Sequence, residues 1–350
     1  GLPDAFSFLG FPVATYPLVM AGLLLTALYF VFAGGQVAVM ITDFVQGLFS
    51  NVVFLVIPVY LLFIVDWSNV VEVLSNRPEG RSLINPFDTG YLDTFNFWYF
   101  VIGVVGVIYG ALSWQGTQAY NTSAKSAHEA KMGGVLSMWR GIPQGLLMLL
   151  LPILVVTVMS HLAFNDTATA VMNDLVGVDG EEVRSQVRTP LVLARLLPVG
   201  LIGMFSAMML AAFISTHDTY LHSWGSIFIQ DVVMPFRKKP FTRAEHLRAL
   251  RLSIVGVATF IVFFSLLYRQ NVAVLLFFAI TGAIFAGGSG AVIIGGLYWK
   301  RGTTSAAWIA LLTGSTIAVG GIVLRHFDPD FPVIGQEFWA IAMAVSTLLY

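Results

Sequence analysis

Eight consecutive positions, from Ala212 to Thr219, set hydroxyls and a carboxylate into an otherwise apolar run. At 3.6 residues per turn, Ala212, Ser215 and Thr216 are neighbours on one helix face and offer a carbonyl and two hydroxyls. Ser215, Asp218, Thr219 and His222 make a second stripe. Hard oxygens, neutral to anionic, are what a sodium ion favours. Two plainer readings stay open. Asp218 and His222, four apart, can pair with each other, and Ser215 and Thr216 can bond back to their own helix backbone. A second acid, Asp43, stands in the segment from Gly34 to Gln46, at the mouth of the apolar run Gly47 to Val65. A carboxylate there is costly unless a cation or a proton answers it.

A third polar cluster lies in Gly110-Ala111-Leu112-Ser113-Trp114-Gln115-Gly116-Thr117-Gln118-Ala119-Tyr120-Asn121. Amides, an indole and two glycines inside a membrane helix predict a break that lines a cavity, with backbone carbonyls and amides freed for ions or solute. Trp114 and Gln118 are the cavity candidates, whereas Tyr120 and Asn121 read as interfacial. The other reading makes the whole segment the end of the helix at the interface. Pro143 and Pro152 predict a kinked span, with Gln144 as a weak cavity candidate. The glycine-dense run Thr281 to Gly290 suits bending or close helix packing.

These residues need membrane helices to hold them. The 350 residues are 57% hydrophobic and 11% charged, with mean hydropathy +0.82; soluble domains carry about 25% charged residues. The fold class is therefore an all-α, polytopic membrane protein. A crossing needs about 20 mostly apolar residues. Nine spans are predicted, near 14–33, 44–65, 97–118, 142–160, 197–224, 252–268, 272–298, 305–324 and 337–350. Trp and Tyr at their ends (Trp67, Trp98, Tyr99, Tyr298, Trp299, Trp339) fit interfacial belts.

The basic connections (Lys125, Lys131 and Arg140; Arg237 to Arg251; Lys300 and Arg301) alternate and share one side, assigned to the cytoplasm. Contact with anionic lipid or nucleic acid is the other reading of the run from Arg237. The opposite loops mix Arg77, Arg81, Arg184 and Arg188 with acids such as Asp66, Glu72, Glu79, Asp179, Glu181 and Glu182. Of these loops, 66–96 is expected to be irregular and 163–196 to carry a helical stretch from Asn173 to Val187. Neither is long enough for a separate soluble domain.

Net charge of −1 gives no global field for nucleic acid. No cysteine is present, so disulfides and thiolate metal sites are excluded. Six scattered histidines argue against a metal centre. No phosphate loop, Gly-x-Ser-x-Gly elbow or His-Glu-x-x-His occurs, so no enzyme is expected. The chain starts at Gly1 rather than Met and stops in an apolar helix, which suggests an internal piece of a longer protein.

The spaced pattern Gly34-Gly35, Ala38-Val39, Thr42-Asp43 and Gln46 resembles the sodium:solute symporter family, between its fourth and fifth core helices. Ser123-Ala124-Lys125-Ser126 with Glu129-Ala130 is similar to the connection after that family's sixth helix. Ala211-Ala212 followed by Ser215-Thr216 resembles its eighth. Gly295-Gly296-Leu297-Tyr298-Trp299-Lys300-Arg301 resembles the end of its tenth. Together the motifs cover most of the chain in the family's order. Three departures stand out: Thr117-Gln118 for a common Asn-Gln pair, Asp218 for a Ser or Thr, and the unusual His217.

The resemblance implies a five-plus-five inverted-repeat, leucine-transporter-like fold, truncated at both ends and without its first three core helices. In the single transmembrane domain 1–350, residues 1–65 would be the last two helices of the first repeat. Residues 97–298 would be the second repeat, and 305–350 additional C-terminal helices. Implied too are a sodium site at Ala212, Ser215 and Thr216, and a second cation or proton site at Asp43, Asp218 and Thr219. Sodium is then the coupling ion, with no other cofactor. The partners are a small organic solute and the lipid bilayer, and the location is the cell (inner) membrane.

The implied activity is sodium-coupled symport. Sugar-transporting members place an Asn and a Gln where this chain has Gly110 and Phe278, so a hexose held in the same way is not expected. Phe278 joins the weak cavity candidates on that ground. Sialic acid, amino acids, monocarboxylates, polyols and vitamins all stay open, as does the oligomeric state. Rival readings are a symporter-like input domain of a signalling protein and a proton-coupled transporter.

Overall fold

A computed structural model describes residues 5–8, 11–92, 95–110, 113, 118–178, 180–267, 274–328 and 331–350. A short antiparallel hairpin, β1 (Ala5–Phe8) with β2 (Phe11–Ala14), precedes the helices, with Ala5 opposite Ala14. From there the described chain is helical: α1 Thr15–Ile64, α2 Trp67–Ser75, α3 Phe97–Gly110, α4 Gln118–Ser123, α5 Ala127–Ser160 and α6 Asn165–Asp174. Then come α7 Glu181–Leu196, α8 Val199–Ile227, α9 Arg243–Leu267, α10 Val274–Tyr298, α11 Thr304–Phe327 and α12 Gly335–Leu349. Past Ile227, α8 runs on through a π-helical turn, Phe228–Val233, and a 3-10 turn, Met234–Phe236.

Six of these helices are long and apolar enough to cross a membrane: α1, α5, α8 with its extension, α9, α10 and α11. α1 carries two of the expected spans. Fifty residues of straight helix would measure about 75 Å, against a hydrocarbon thickness of about 30 Å. The length is divided at Gly35, whose backbone (φ 58°, ψ −154°) lies where only glycine is at ease. The 14-residue α3 and the 15-residue α12 are shorter apolar helices at two further expected spans.

The chain forms two compact units. One comprises Gly1–Ile64, Gln115–Ile153 and Leu193–Arg269. Within it α1, α8 and α9 pack together around Ala27, Val31, Val39, Leu221, Ile254 and Ala258. Val31 and Val39 flank the Gly35 break, so both arms of α1 are held by the same cluster. The other unit comprises Val65–Trp114, Leu154–Val192 and Gln270–Tyr350. There α10, α11 and α12 pack on one another, and α3 lies on α10 and α12. Glycines bring backbones into contact: a Cβ on Gly288 would strike the Ala310 carbonyl and the Leu311 Cα, and one on Gly314 would strike Gly287 and Gly288. Three side chains lace this seam to backbone carbonyls: Ser315 to Ile284 at 2.5 Å, Tyr109 to Gly287 at 2.8 Å and Ser346 to Ala310 at 3.0 Å. Close packing is what the glycines of α10 do here.

Several boundaries differ from the sequence reading. α5 begins at Ala127 rather than near 142, because the stretch read as a connection is already helical. α9 likewise starts at Arg243, ahead of the expected 252. Of the third expected span, α3 covers the part up to Gly110, and α4 begins at Gln118. The polar stretch between them, where a break is expected, lies outside the described residues save Ser113. Loop 66–96 is not wholly irregular. Asp66 caps α2 by accepting from the Ser68 N–H at 2.8 Å and the Ser68 hydroxyl at 2.7 Å. The helix expected over Asn173–Val187 is split into α6 and α7, with Gly180 (φ 85°) between them.

Candidate cation site

Asp43 projects from the second arm of α1, about two turns beyond the Gly35 break. Its carboxylate accepts three hydroxyls, and every participant belongs to one compact unit. Ser215 Oγ donates to Oδ1 at 2.6 Å, and Thr219 Oγ1 donates to Oδ2 at 3.2 Å. The Tyr120 hydroxyl also donates to Oδ2 and lies 2.8 Å from Thr219 Oγ1. Ser215 and Thr219 are four apart on α8, so one helix face supplies both. Tyr120 comes from the short α4, where Ser123 Oγ bonds to the Tyr120 carbonyl at 2.8 Å and reaches Met40 Sδ on α1 at 3.6 Å. The turn into α5 is closed by Ser126 accepting the Glu129 N–H and by Glu129 accepting the Lys125 N–H.

Other hydroxyls in these helices behave differently. Thr26, Thr42, Thr259, Thr281, Thr316 and Thr347 each bond to the carbonyl four residues back. That is the ordinary fate of a helical threonine. Ser215 and Thr219 turn to Asp43 instead. By drawing the hydroxyl protons towards itself, the carboxylate leaves hydroxyl lone pairs directed away from it. Such lone pairs, together with the carboxylate charge, make a donor set for a hard monovalent cation.

The charge balance favours the same use. Among the described residues no cationic side chain forms an ion pair with Asp43. The Arg140 guanidinium lies against Gly47, one turn further along α1, where a Cβ would stand 3.4 Å from it. Asp218 is fully buried, and neither of its oxygens has a hydrogen-bond partner among the described residues. His222 Nδ1 is likewise unpaired, so the Asp218–His222 pair left open by the sequence does not form. A buried carboxylate in that condition is held by a cation or by a proton. His217 has a local explanation: its Nδ1 lies 2.9 Å from the Phe213 carbonyl, and its ring stacks on Phe213 at 3.9 Å.

Asp43, Ser215 and Thr219 are therefore together, with Asp218 beside Thr219 in the chain. Ala212 and Thr216 are exposed, away from the Asp43 cluster. Gln144 and Phe278 also present exposed side chains. Trp114 and the side chain of Gln118 lie outside the described residues. Tyr120, read from sequence as interfacial, is the member that sequence reasoning missed. Its one legible signal was a phenol two residues after Gln118, which closes the polar stretch Gln115 to Gln118.

A family model of the sodium:solute symporter family matches residues 8–314. The chain belongs to that family. A sodium/mannose cotransporter of Bos taurus is 24% identical over 332 residues, 89% of this chain and 54% of that protein. A sodium/pantothenate symporter of Haemophilus influenzae is 24% identical over 335 residues, 93% of this chain and 63% of that protein. This symporter-family chain thus spans little more than half to just under two thirds of the relatives' lengths. A sodium-coupled sialic acid symporter, solved in a substrate-bound outward-open state, superposes with a TM-score of 0.66 at 17% identity, covering 98% of this chain and 68% of that one. The shared fold is the all-α, leucine-transporter-like architecture, and this family member is an integral membrane protein.

Proposed function

We propose that the protein is a sodium-coupled symporter of a small organic solute, working by alternating access in the cell (inner) membrane. The observation that carries this reading is Asp43, a carboxylate in a membrane helix met by three hydroxyls and by no cationic side chain among the described residues. A mobile cation completes such a site. Asp43, Ser215, Asp218 and Thr219 would form one cation site, and Ala212, Ser215 and Thr216 the face of a second, with Ser215 shared. In this scheme residues 1–65 close the first repeat, 97–298 form the second, and 305–350 are additional helices. Ion binding would bias the conformational equilibrium through its differential affinity for the outward-open state. Trp114, Gln118, Gln144 and Phe278 remain the proposed cavity residues.

The pairing that favours a second reading is Asp218, buried with both oxygens unpaired. A proton there would suit a proton-coupled transporter. The test is uptake by the full-length protein in proteoliposomes, across a solute panel, first under a sodium gradient and then under a proton gradient. Accumulation driven by sodium alone supports the symport reading. Accumulation driven by protons and indifferent to sodium supports the second. No accumulation under either gradient, with no sodium binding, rejects both.

A further inference from the structure

Tyr120 stands apart from the other members of the cluster. Ser215 and Thr219 belong to a 29-residue helix and Asp43 to a 50-residue one, whereas Tyr120 sits on the six-residue α4. α4 is the first helix after the polar stretch that ends α3 at Gly110. Its ties to the longer helices include the Tyr120 bonds to Asp43 and Thr219 and the Ser123 contact with Met40. The phenol is half-buried, donates its proton to Asp43 Oδ2, and keeps lone pairs for a second partner.

We propose that Tyr120 is a positioning residue of the cation site, through which ion binding fixes α4 against α1 and α8. This rests on the cation site proposed above. The carboxylate accepts the phenol's hydrogen bond, so the lone pairs of the phenol oxygen can face a cation held by Asp43, Ser215 and Thr219. The ion then strengthens the tie that Tyr120 makes between α4 and the two long helices. Ion occupancy thereby becomes order in α4 itself, the short helix that leads into α5. The hydroxyl, and not the ring, carries the effect.

The experiment compares the full-length protein with Tyr120→Phe and Asp43→Asn by radiotracer sodium binding, and by hydrogen exchange of the α4 amides with and without sodium. Tyr120→Phe should raise the half-saturating sodium concentration about ten-fold, the effect of losing one hydrogen bond to a charged group. It should also abolish the sodium-induced protection of α4 seen in the wild type. A merely structural tyrosine would speed α4 exchange equally with and without sodium, and that result overturns the proposal. Should the phenylalanine protein not fold, α4 exchange in Asp43→Asn serves in its place: sodium-induced protection of α4 that persists without the carboxylate overturns the proposal. If Asp43→Asn weakens sodium binding while Tyr120→Phe changes neither readout, the tyrosine assignment falls and the cation site stands. If Asp43→Asn leaves sodium binding unchanged, the site itself is wrong and the assignment goes with it.

Discussion

The cluster around Asp43 and the seam between α10 and α11 use small and polar residues to opposite ends. At the seam, Gly287, Gly288 and Gly314 let two backbones touch, and the hydroxyls of Ser315 and Ser346 are spent on carbonyls of neighbouring helices. Those two hydroxyls have uses that end within the protein fold, whereas the neighbouring Ser289 hydroxyl is buried without a partner among the described residues. Around Asp43 three hydroxyls converge on a charge that no described side chain neutralises. Polarity inside a membrane helix is therefore not itself a mark of function. A converging set with charge left over is.

The sharpest way to break this comparison is Asp43→Asn, which keeps the shape and removes the charge. The sodium concentration for half-maximal binding should rise about a hundred-fold, an interaction with an ionised ligand being worth about 3 kcal/mol. Thermal stability in detergent should hold, because the amide oxygen still accepts hydroxyls. An unchanged sodium midpoint would reduce the cluster to packing.

The converse change is Gly288→Val. Its Cβ meets the backbone of Ala310 and Leu311, which cannot swing aside as a side chain could. The expected loss is about 2 kcal/mol, typical of overpacking, read as a lowered melting temperature. In the protein that folds, the sodium midpoint should stay where it is. A shift there would mean that the seam does more than pack.

A finer division runs within α8. Ser215→Ala should raise the sodium requirement about ten-fold, since it removes a donor to a carboxylate. Thr216→Ala should move it less, because Thr216 is exposed and lies outside the Asp43 cluster. Equal effects of the two would favour the face of Ala212, Ser215 and Thr216 as the stronger sodium site. No effect of either would remove α8 from ion binding.

Much of this was legible in the residues. Asp43 announced itself by its cost in an apolar setting, and Ser215 and Thr219 by spacing on one helix face. The glycines of α10 suggested close packing. The spans 14–33 and 44–65 were expected as two, and the residues between them proved helical, with the break confined to Gly35. What escaped needed the third dimension. Tyr120 and Asp43 are 77 positions apart, and an interfacial tyrosine is a sufficient account of Tyr120 until its partner is in view. The early start of α5 was hidden by Gly133 and Gly134, which disfavour helix locally, and by the charges of His128 to Lys131. That half of the helix is exposed, so tertiary packing is not what makes it helical. The missed helix α2 is a different kind of error, since Asp66 followed by Ser68 is a readable start signal.

The smallest predicted effect tests that start signal, and its silence elsewhere is the point. The Ser68 hydroxyl and N–H both donate to Asp66 and hold its carboxyl below the usual aspartate range. Because the folded value is lowered, the cap is intact above the ordinary aspartate pKa. It is lost as pH falls through the lowered one. Asp66→Ala should speed hydrogen exchange of the first-turn amides of α2 at neutral pH. In the wild type, the same amides should loosen only under strong acid. Sodium binding should be the same with and without the cap, since the hydrogen bonds of Asp66 are made to Ser68 at the start of its own helix. A sodium midpoint that moved with the α2 cap would show that the division drawn between binding cluster and framework is too sharp.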